Sequence, residues 1–236
     1  MSKFLTQLEA NSLHFPNPEL ALDEPNGLLA IGGDLSPARL LAAYHNGIFP
    51  WYEPHRPILW WSPNPRGVLA PERLHVGRTL RKLLRRPTFE IWINRDFNGV
   101  IAGCAAPRRT AYSTWISAEM MDAYQRLHRM GHAHSVEIWQ QDELVAGLYG
   151  LSVGKVFCGE SMFSIIDGGA KLAMVALCRH FSAHGGELID TQMQNNFLAT
   201  LGVVEWPRWH FLAELRQLRT QPLDAGCWLT RQVHYD

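Results

Sequence analysis

Phe157-Cys158-Gly159-Glu160-Ser161-Met162-Phe163-Ser164, followed about one helix later by Leu188-Ile189-Asp190-Thr191-Gln192, decides how this chain is read. Each run is apolar and strand-like, and each carries a carboxylate. A buried charge is costly unless it is paired or used, so a shared site is the simplest account of both. Between them, Ala170 to His184 reads as a long helix ended by Gly185-Gly186.

Working outward, the same alternation of helix and strand continues. Residues 78–86 read as a helix stopped at Pro87, and Phe89 to Asn94 alternates like a strand. Ser117 caps a helix running to about Arg129, with Gly131 at its C-terminal end. Ser135–Trp139 and Leu144–Tyr149 read as a hairpin across Gln140-Gln141-Asp142-Glu143. Val156 to Gly159 is a further strand, and short helices are expected near Asn196–Leu201 and Phe211–Leu218. The first quarter differs, being rich in Pro, Gly and aromatics. Its one clear helix has Ser36 as N-cap, Pro37 at the first position, Leu40, Leu41 and Tyr44 as the apolar face, and Gly47 as the stop. The prolines around Ser62-Pro63-Asn64-Pro65-Arg66 set an expected junction near residue 64. The fold class is α/β in the broad (α+β) sense, with a sheet that is not purely parallel. A small domain over 1–64 and a larger one over 65–236 are expected.

Composition sets the outer limits. At 236 residues, 47% hydrophobic and 19% charged, the chain suits a protein with a sizeable core, in one large domain or two smaller ones. Formal net charge is zero, so only a local patch could attract a polyanion. Cys104, Cys158, Cys178 and Cys227 are far apart and form no C-x-x-C pair, which reads as free thiols in a reducing cytosol rather than a zinc ribbon. No stretch reads as a signal peptide or a membrane span, so a cytoplasmic protein is expected.

Several residues stand out chemically. On a regular strand Asp190 and Gln192 share a face, and a carboxylate beside an amide can fix which way the amide points. A solvated strand end fits the pair equally well. Glu160, between Gly159 and Ser161, could hold a cationic group, or it could be a carboxylate satisfied by backbone N–H groups. Arg78, Arg81, Lys82, Arg85 and Arg86 fall on one helical face without an acid, the kind of patch that neutralises phosphates. A solvated surface face is the plainer alternative. Trp51, Trp60, Trp61 and Trp115 lie in turn-forming sequence, where an indole can stack on a base or simply fill a core. His132 and His134 have the spacing of strand-borne ligands but no third partner, and no metal is expected. No phosphate-binding glycine loop and no nucleophile elbow is present.

Taken together, these stretches resemble a bacterial family, the leucyl/phenylalanyl-tRNA–protein transferases. The likeness runs from Asn26-Gly27-Leu28-Leu29-Ala30-Ile31-Gly32-Gly33-Asp34-Leu35-Ser36-Pro37 through Gly47-Ile48-Phe49-Pro50-Trp51-Tyr52 and Trp60-Trp61-Ser62-Pro63. It continues through Gly103-Cys104-Ala105, Ser113-Thr114-Trp115-Ile116 and His132-Ala133-His134-Ser135-Val136-Glu137 to the two opening runs. The resemblance implies a small N-terminal domain plus a C-terminal acetyltransferase-like (GNAT-like) domain. It implies transfer of Leu or Phe, less readily Met, from aminoacyl-tRNA to the N-terminal Arg or Lys of a protein, which is thereby marked for N-degron degradation. It implies no metal or coenzyme. By motif, Asp190, Gln192 and Glu160 are implied as catalytic, and Trp51 and Trp115 as the holders of the terminal adenosine. Phe157, Met162, Met174, Leu177, Phe181 and Ile189 are implied to line the aminoacyl pocket, and the basic run Arg78 to Arg86 to meet the acceptor stem. The chain departs from the family pattern at Asp167-Gly168-Gly169-Ala170-Lys171, at Thr191 and at Phe197.

The implied donor is an activated ester and the nucleophile an α-amine of pKa about 7.7–8.0, so direct aminolysis needs no covalent enzyme intermediate. On this reading Asp190 orients the Gln192 amide, whose oxygen guides the amine, and Glu160 with Asp190 makes the site negative. The competing expectations are an acyl-CoA N-acetyltransferase, for which no Q/R-x-x-G-x-G/A loop is present, and a tRNA-binding module without catalysis. A monomer without membrane attachment is expected.

Overall fold

The structure, a computed structural model, describes residues 4–85, 88–106 and 116–234. A four-stranded sheet comes first: β1 (Thr6–Leu8), β2 (Leu28–Gly32), β3 (Phe49–Pro50) and β4 (Leu59–Trp61), in the order β1-β2-β4-β3. Helix α1 (Pro37–His45) joins β2 to β3. Its start is as the sequence implies, because Ser36 Oγ accepts from the Arg39 N–H and Pro37 occupies the first turn. Gly47, at φ +73°, turns the chain out of the helix. Trp60 anchors this sheet. Its indole is fully buried, donates to the Gly32 carbonyl at 2.8 Å and meets Phe15 edge-on at 4.9 Å. Trp60→Ala should therefore cost about 3–5 kcal/mol in urea unfolding; a loss below about 1 kcal/mol would show that the indole is not the anchor.

The remaining elements are β5 (Arg66–Leu69), α2 (Arg78–Leu84), β6 (Glu90–Ile93), α3 (Phe97–Ala105), α4 (Ala118–Arg129), β7 (Ala133–Gln140), β8 (Glu143–Val153), β9 (Val156–Ser164), α5 (Gly169–Ala183), β10 (Leu188–Gln192), α6 (Asn196–Ala199), β11 (Val204–Trp206), α7 (Arg208–Leu218) and β12 (Arg231–Val233). They build an eight-stranded sheet in the order β11-β5-β10-β9-β8-β7-β6-β12. The hairpin β7–β8 turns on Gln141-Asp142, both at positive φ (49° and 61°), the geometry that suits the twist of a two-residue loop. Helix α5 covers one face through Leu172, Val175, Ala176 and Phe181, against Val136, Leu148, Phe157 and Ile189. The other face, through Tyr149, Leu151, Cys158 and Leu188, packs on α3, α4, α1 and α7.

The mixed sheet expected from the sequence is present. Among the described pairings of the large sheet, only β9 with β10 is parallel, joined by the α5 crossover. That pairing is short: Val156–Cys158 meets Leu188–Asp190, and β9 then runs on to Ser164 against β8 alone. A gap therefore opens between β9 and β10 directly beyond Cys158 and Asp190. The four cysteines are buried and none is in a disulfide. No helix among the described residues is long and apolar enough to cross a membrane.

Candidate active site

Two β-bulges on neighbouring strands shape this gap. Between β8 and β9 the register passes from Tyr149–Ser161 to Gly150–Gly159, leaving Glu160 as the extra residue. Between β5 and β10 it passes from Asp190–Val68 to Gln192–Gly67, leaving Thr191 as the extra residue, and Gln192 takes φ +57°. A bulge re-aims the side chain beside it. The strict alternation that put Asp190 and Gln192 on one face is thus broken, and their side chains do different things.

Asp190 is 1% exposed and paired with Arg66, which is equally buried. Arg66 Nε donates to Oδ1 at 2.8 Å and Nη2 to Oδ2 at 2.7 Å, a two-pronged pair, while Nη1 donates to the Gly47 carbonyl at 3.1 Å. The guanidinium also lies over the rings of Phe49 (5.0 Å) and Phe211 (4.5 Å). Asp190 Oδ1 accepts a second bond, from the Gln192 backbone N–H at 2.9 Å. This corrects the sequence reading. Asp190 holds the backbone of Gln192 in its left-handed turn rather than orienting its amide, and its charge is neutralised rather than offered to a substrate.

The residue that orients the amide is Glu160. Gln192 Nε2 donates to Glu160 Oε1 at 3.0 Å, across the gap between the strands. Glu160 Oε2 accepts from the Tyr124 hydroxyl at 2.9 Å, which leaves Tyr124 to accept from Tyr44 at 2.5 Å. Burial pushes the Glu160 carboxyl up to about 7, while the two tyrosines restrain the rise. Burial and the Glu160 charge hold the Tyr44 and Tyr124 phenols well above their ordinary value.

The gap opens into a cavity of about 670 Å³. Phe157, Met162, Met174, Leu177 and Ile189, which the resemblance assigns to an aminoacyl pocket, line it together with Glu160 and Gln192 at its polar end. Phe181 is not among the lining residues. It is fully buried behind Phe157, ring to ring at 6.0 Å, where it backs the wall instead of forming it. Phe49 and Leu148 line the cavity and were not foreseen. Trp51 also lines it and remains 42% exposed, with its indole tilted against Trp61 at 5.7 Å. Trp115 lies outside the described residues. On α2, Leu80 is buried while Arg78, Arg81, Lys82 and Arg85 are exposed. The helix ends at Leu84 with Arg85 as its cap, two residues short of the expected run, and Arg86 lies outside the described residues.

Arg66, Tyr44 and Tyr124 were missed in the sequence. Arg66 carried a readable signal: a lone cation opening the apolar run Arg66-Gly67-Val68-Leu69 requires a buried counter-charge. The tyrosines gave none, being ordinary members of apolar helix faces.

Among the described residues His180, His184 and Cys227 bring possible metal ligands within 4.8 Å of one another. His180 Nε2 is engaged by the Cys227 carbonyl, His184 Nδ1 by the His180 carbonyl, and Arg231 Nη2 lies 3.0 Å from His184 Nε2. A guanidinium in that position opposes a second cation. His134 is stacked on Trp228 at 4.3 Å with Nδ1 on Asn94, a packed core histidine.

Residues 68–216 match the family described as leucyl/phenylalanyl-tRNA protein transferase, and residues 33–64 match its N-terminal domain. A leucyl/phenylalanyl-tRNA–protein transferase of Aeromonas hydrophila is 70% identical over 233 residues, covering 99% of each chain. One of Tolumonas auensis is 60% identical over 228 residues, covering 97% of each. Among solved structures, a GCN5-related N-acetyltransferase from Kribbella flavida is 13% identical at a TM-score of 0.35, over 76% of this chain and 63% of that one.

Proposed function

The chain belongs to the leucyl/phenylalanyl-tRNA–protein transferase family, and from that premise we propose that it moves Leu or Phe, less readily Met, from aminoacyl-tRNA to the α-amine of an N-terminal Arg or Lys. The observation that carries this reading is the Gln192–Glu160 bridge at the polar end of an apolar cavity that Trp51 also lines. The cavity takes the aminoacyl side chain. Trp51 stacks on the terminal adenosine, and the exposed cations of α2 meet the acceptor stem. An apolar pocket separates side chains differing by one methylene by only about 1–3 kcal/mol, and methionine walls adapt, so overlap among Leu, Phe and Met follows.

The reacting groups need placement more than activation. Glu160 takes the Gln192 N–H, which leaves the amide oxygen to accept a hydrogen bond from the incoming amine. The amine nitrogen attacks the ester carbonyl, the ester C–O bond breaks, and the proton shed by nitrogen passes to the leaving ribose oxygen. Gln192 is a positioning acceptor here, since an amide is too weak a base to keep the proton. The anionic form of Glu160 favours a basic acceptor terminus. The product is a protein marked for N-degron degradation in the cytoplasm, and the enzyme acts as a monomer.

The pH dependence follows from two groups. With Glu160 at about 7 and the acceptor amine at about 7.7–8.0, both lose a proton as pH rises, and both losses favour transfer. The value of kcat/KM should climb from pH 6 to about 8, with Glu160→Gln removing the lower inflection. An unchanged profile in that variant would detach Glu160 from the reaction. The reaction itself is tested by transfer of Leu to peptides beginning with Arg or Ala: product on the Arg peptide alone is expected, and equal product on both would refute the acceptor assignment.

A further inference from the structure

We infer that Lys171 and Phe197 form a binding step for the nucleotide preceding the terminal adenosine of the donor, between the cavity and the basic face of α2. This rests on the proposed reaction and adds a second nucleotide subsite to it. Phe197, on α6, is 37% exposed and lines the cavity. The Lys171 ammonium lies 5.6 Å from its ring centroid, and Lys171 follows Ala170, another lining residue. Among the described residues no carboxylate pairs with Lys171.

The path outward is set by packing. Helix α2 lies against the start of α5, so closely that a Cβ on Gly168 would meet Leu83 Cδ2 at 2.8 Å. Lys171 is three residues further along, in the first turn of α5. The exposed cations of α2, then Lys171, then Phe197 therefore lead to the cavity rim. A strand whose terminal ester sits in the cavity must leave past that rim to reach α2. A cation beside an exposed ring is what single-stranded nucleic acid uses, the cation for phosphate and the ring for a base. In the free protein the ammonium covers the ring. On binding it moves to the phosphodiester and frees the ring for the penultimate base.

Phe197→Ala and Lys171→Gln should each raise KM for Leu-tRNA about 10-fold, with kcat and the acceptor-peptide KM little changed. Phe197→Trp should retain binding, and the Lys171→Gln loss should shrink at high salt. With a mononucleoside donor, 3′-leucyl-adenosine, Lys171→Gln should match wild type, and the loss in Phe197→Ala should be smaller than with Leu-tRNA. Equal losses with both donors would place the pair in the cavity proper and overturn the step. So would a raised KM for the acceptor peptide alone, which would assign the surface to the protein substrate, and so would no change with Leu-tRNA. Fluorescence binding of a short oligonucleotide ending in CCA requires no turnover. Weaker binding by Phe197→Ala supports the step even if wild type fails to transfer, and equal binding overturns it.

Discussion

Asp190→Ala should destabilise the protein by about 3–5 kcal/mol, because it leaves a buried guanidinium without its counter-charge. Arg66 and Asp190 are each 1% exposed, and water does not reach the pair to replace either partner. The substitution also frees the Gln192 backbone, whose N–H Asp190 Oδ1 holds at 2.9 Å. Arg66→Ala should cost a similar amount for the mirror-image reason, adding the loss of the Gly47 bond. Replacing both, as Arg66→Met with Asp190→Leu, should recover much of the stability, since an apolar pair of similar volume avoids desolvating either ion. It should not recover transfer, because nothing then fixes the turn at Gln192. Urea unfolding separates these cases. A folded Asp190→Ala protein with wild-type stability and full activity would show that the ion pair neither supports the fold nor positions the site.

Gln192→Ala should lower kcat about 100-fold or more while leaving stability within about 1 kcal/mol. Gln192 is only half-buried, and its side chain bonds to Glu160 alone among the described contacts. Removing it takes away the group that guides the amine but leaves the cavity and Trp51 in place. KM for the aminoacyl-tRNA should therefore hold steady while kcat falls. Gln192→Asn, which draws the amide back by one methylene, should fall between wild type and Ala. Glu160→Gln keeps the size of the orienting partner but lets the Gln192 amide turn over, and it should lose rate without losing donor affinity. A KM effect in place of a kcat effect would move Gln192 from the reacting centre to the donor pocket.

The chain states much of this openly. Ser36, Pro37 and Gly47 delimit α1, Ser117 starts α4, and the apolar spacing of Leu172 to Phe181 gives α5, since these signals are local. The carboxylates of Glu160 and Asp190 were legible as anomalies because charge is rare in apolar strands. Most of what the sequence hid is non-local, helix α3 being the exception. Helix α3 escaped notice although Asp96 caps it by accepting from the Gly99 N–H. The bulges at Glu160 and Thr191 depend on the register against β8 and β5, which no single strand encodes. Those bulges decide that Glu160, not Asp190, faces the Gln192 amide, so the reading by alternation named residues that do meet in the structure but paired them wrongly. Phe181 was misplaced for the same reason: being apolar near the pocket does not say which layer of the wall a ring occupies.

The most direct measurement is transfer of labelled Leu from Leu-tRNA to a peptide beginning with Arg, run with wild type and Gln192→Ala side by side and an Ala-initiated peptide as control. Transfer by wild type to the Arg peptide, with a loss of about 100-fold in Gln192→Ala, is the expected result. Failure of folded wild type to use Leu-, Phe- or Met-tRNA, or equal transfer by Gln192→Ala, would contradict the assignment of this gap as the transferase centre.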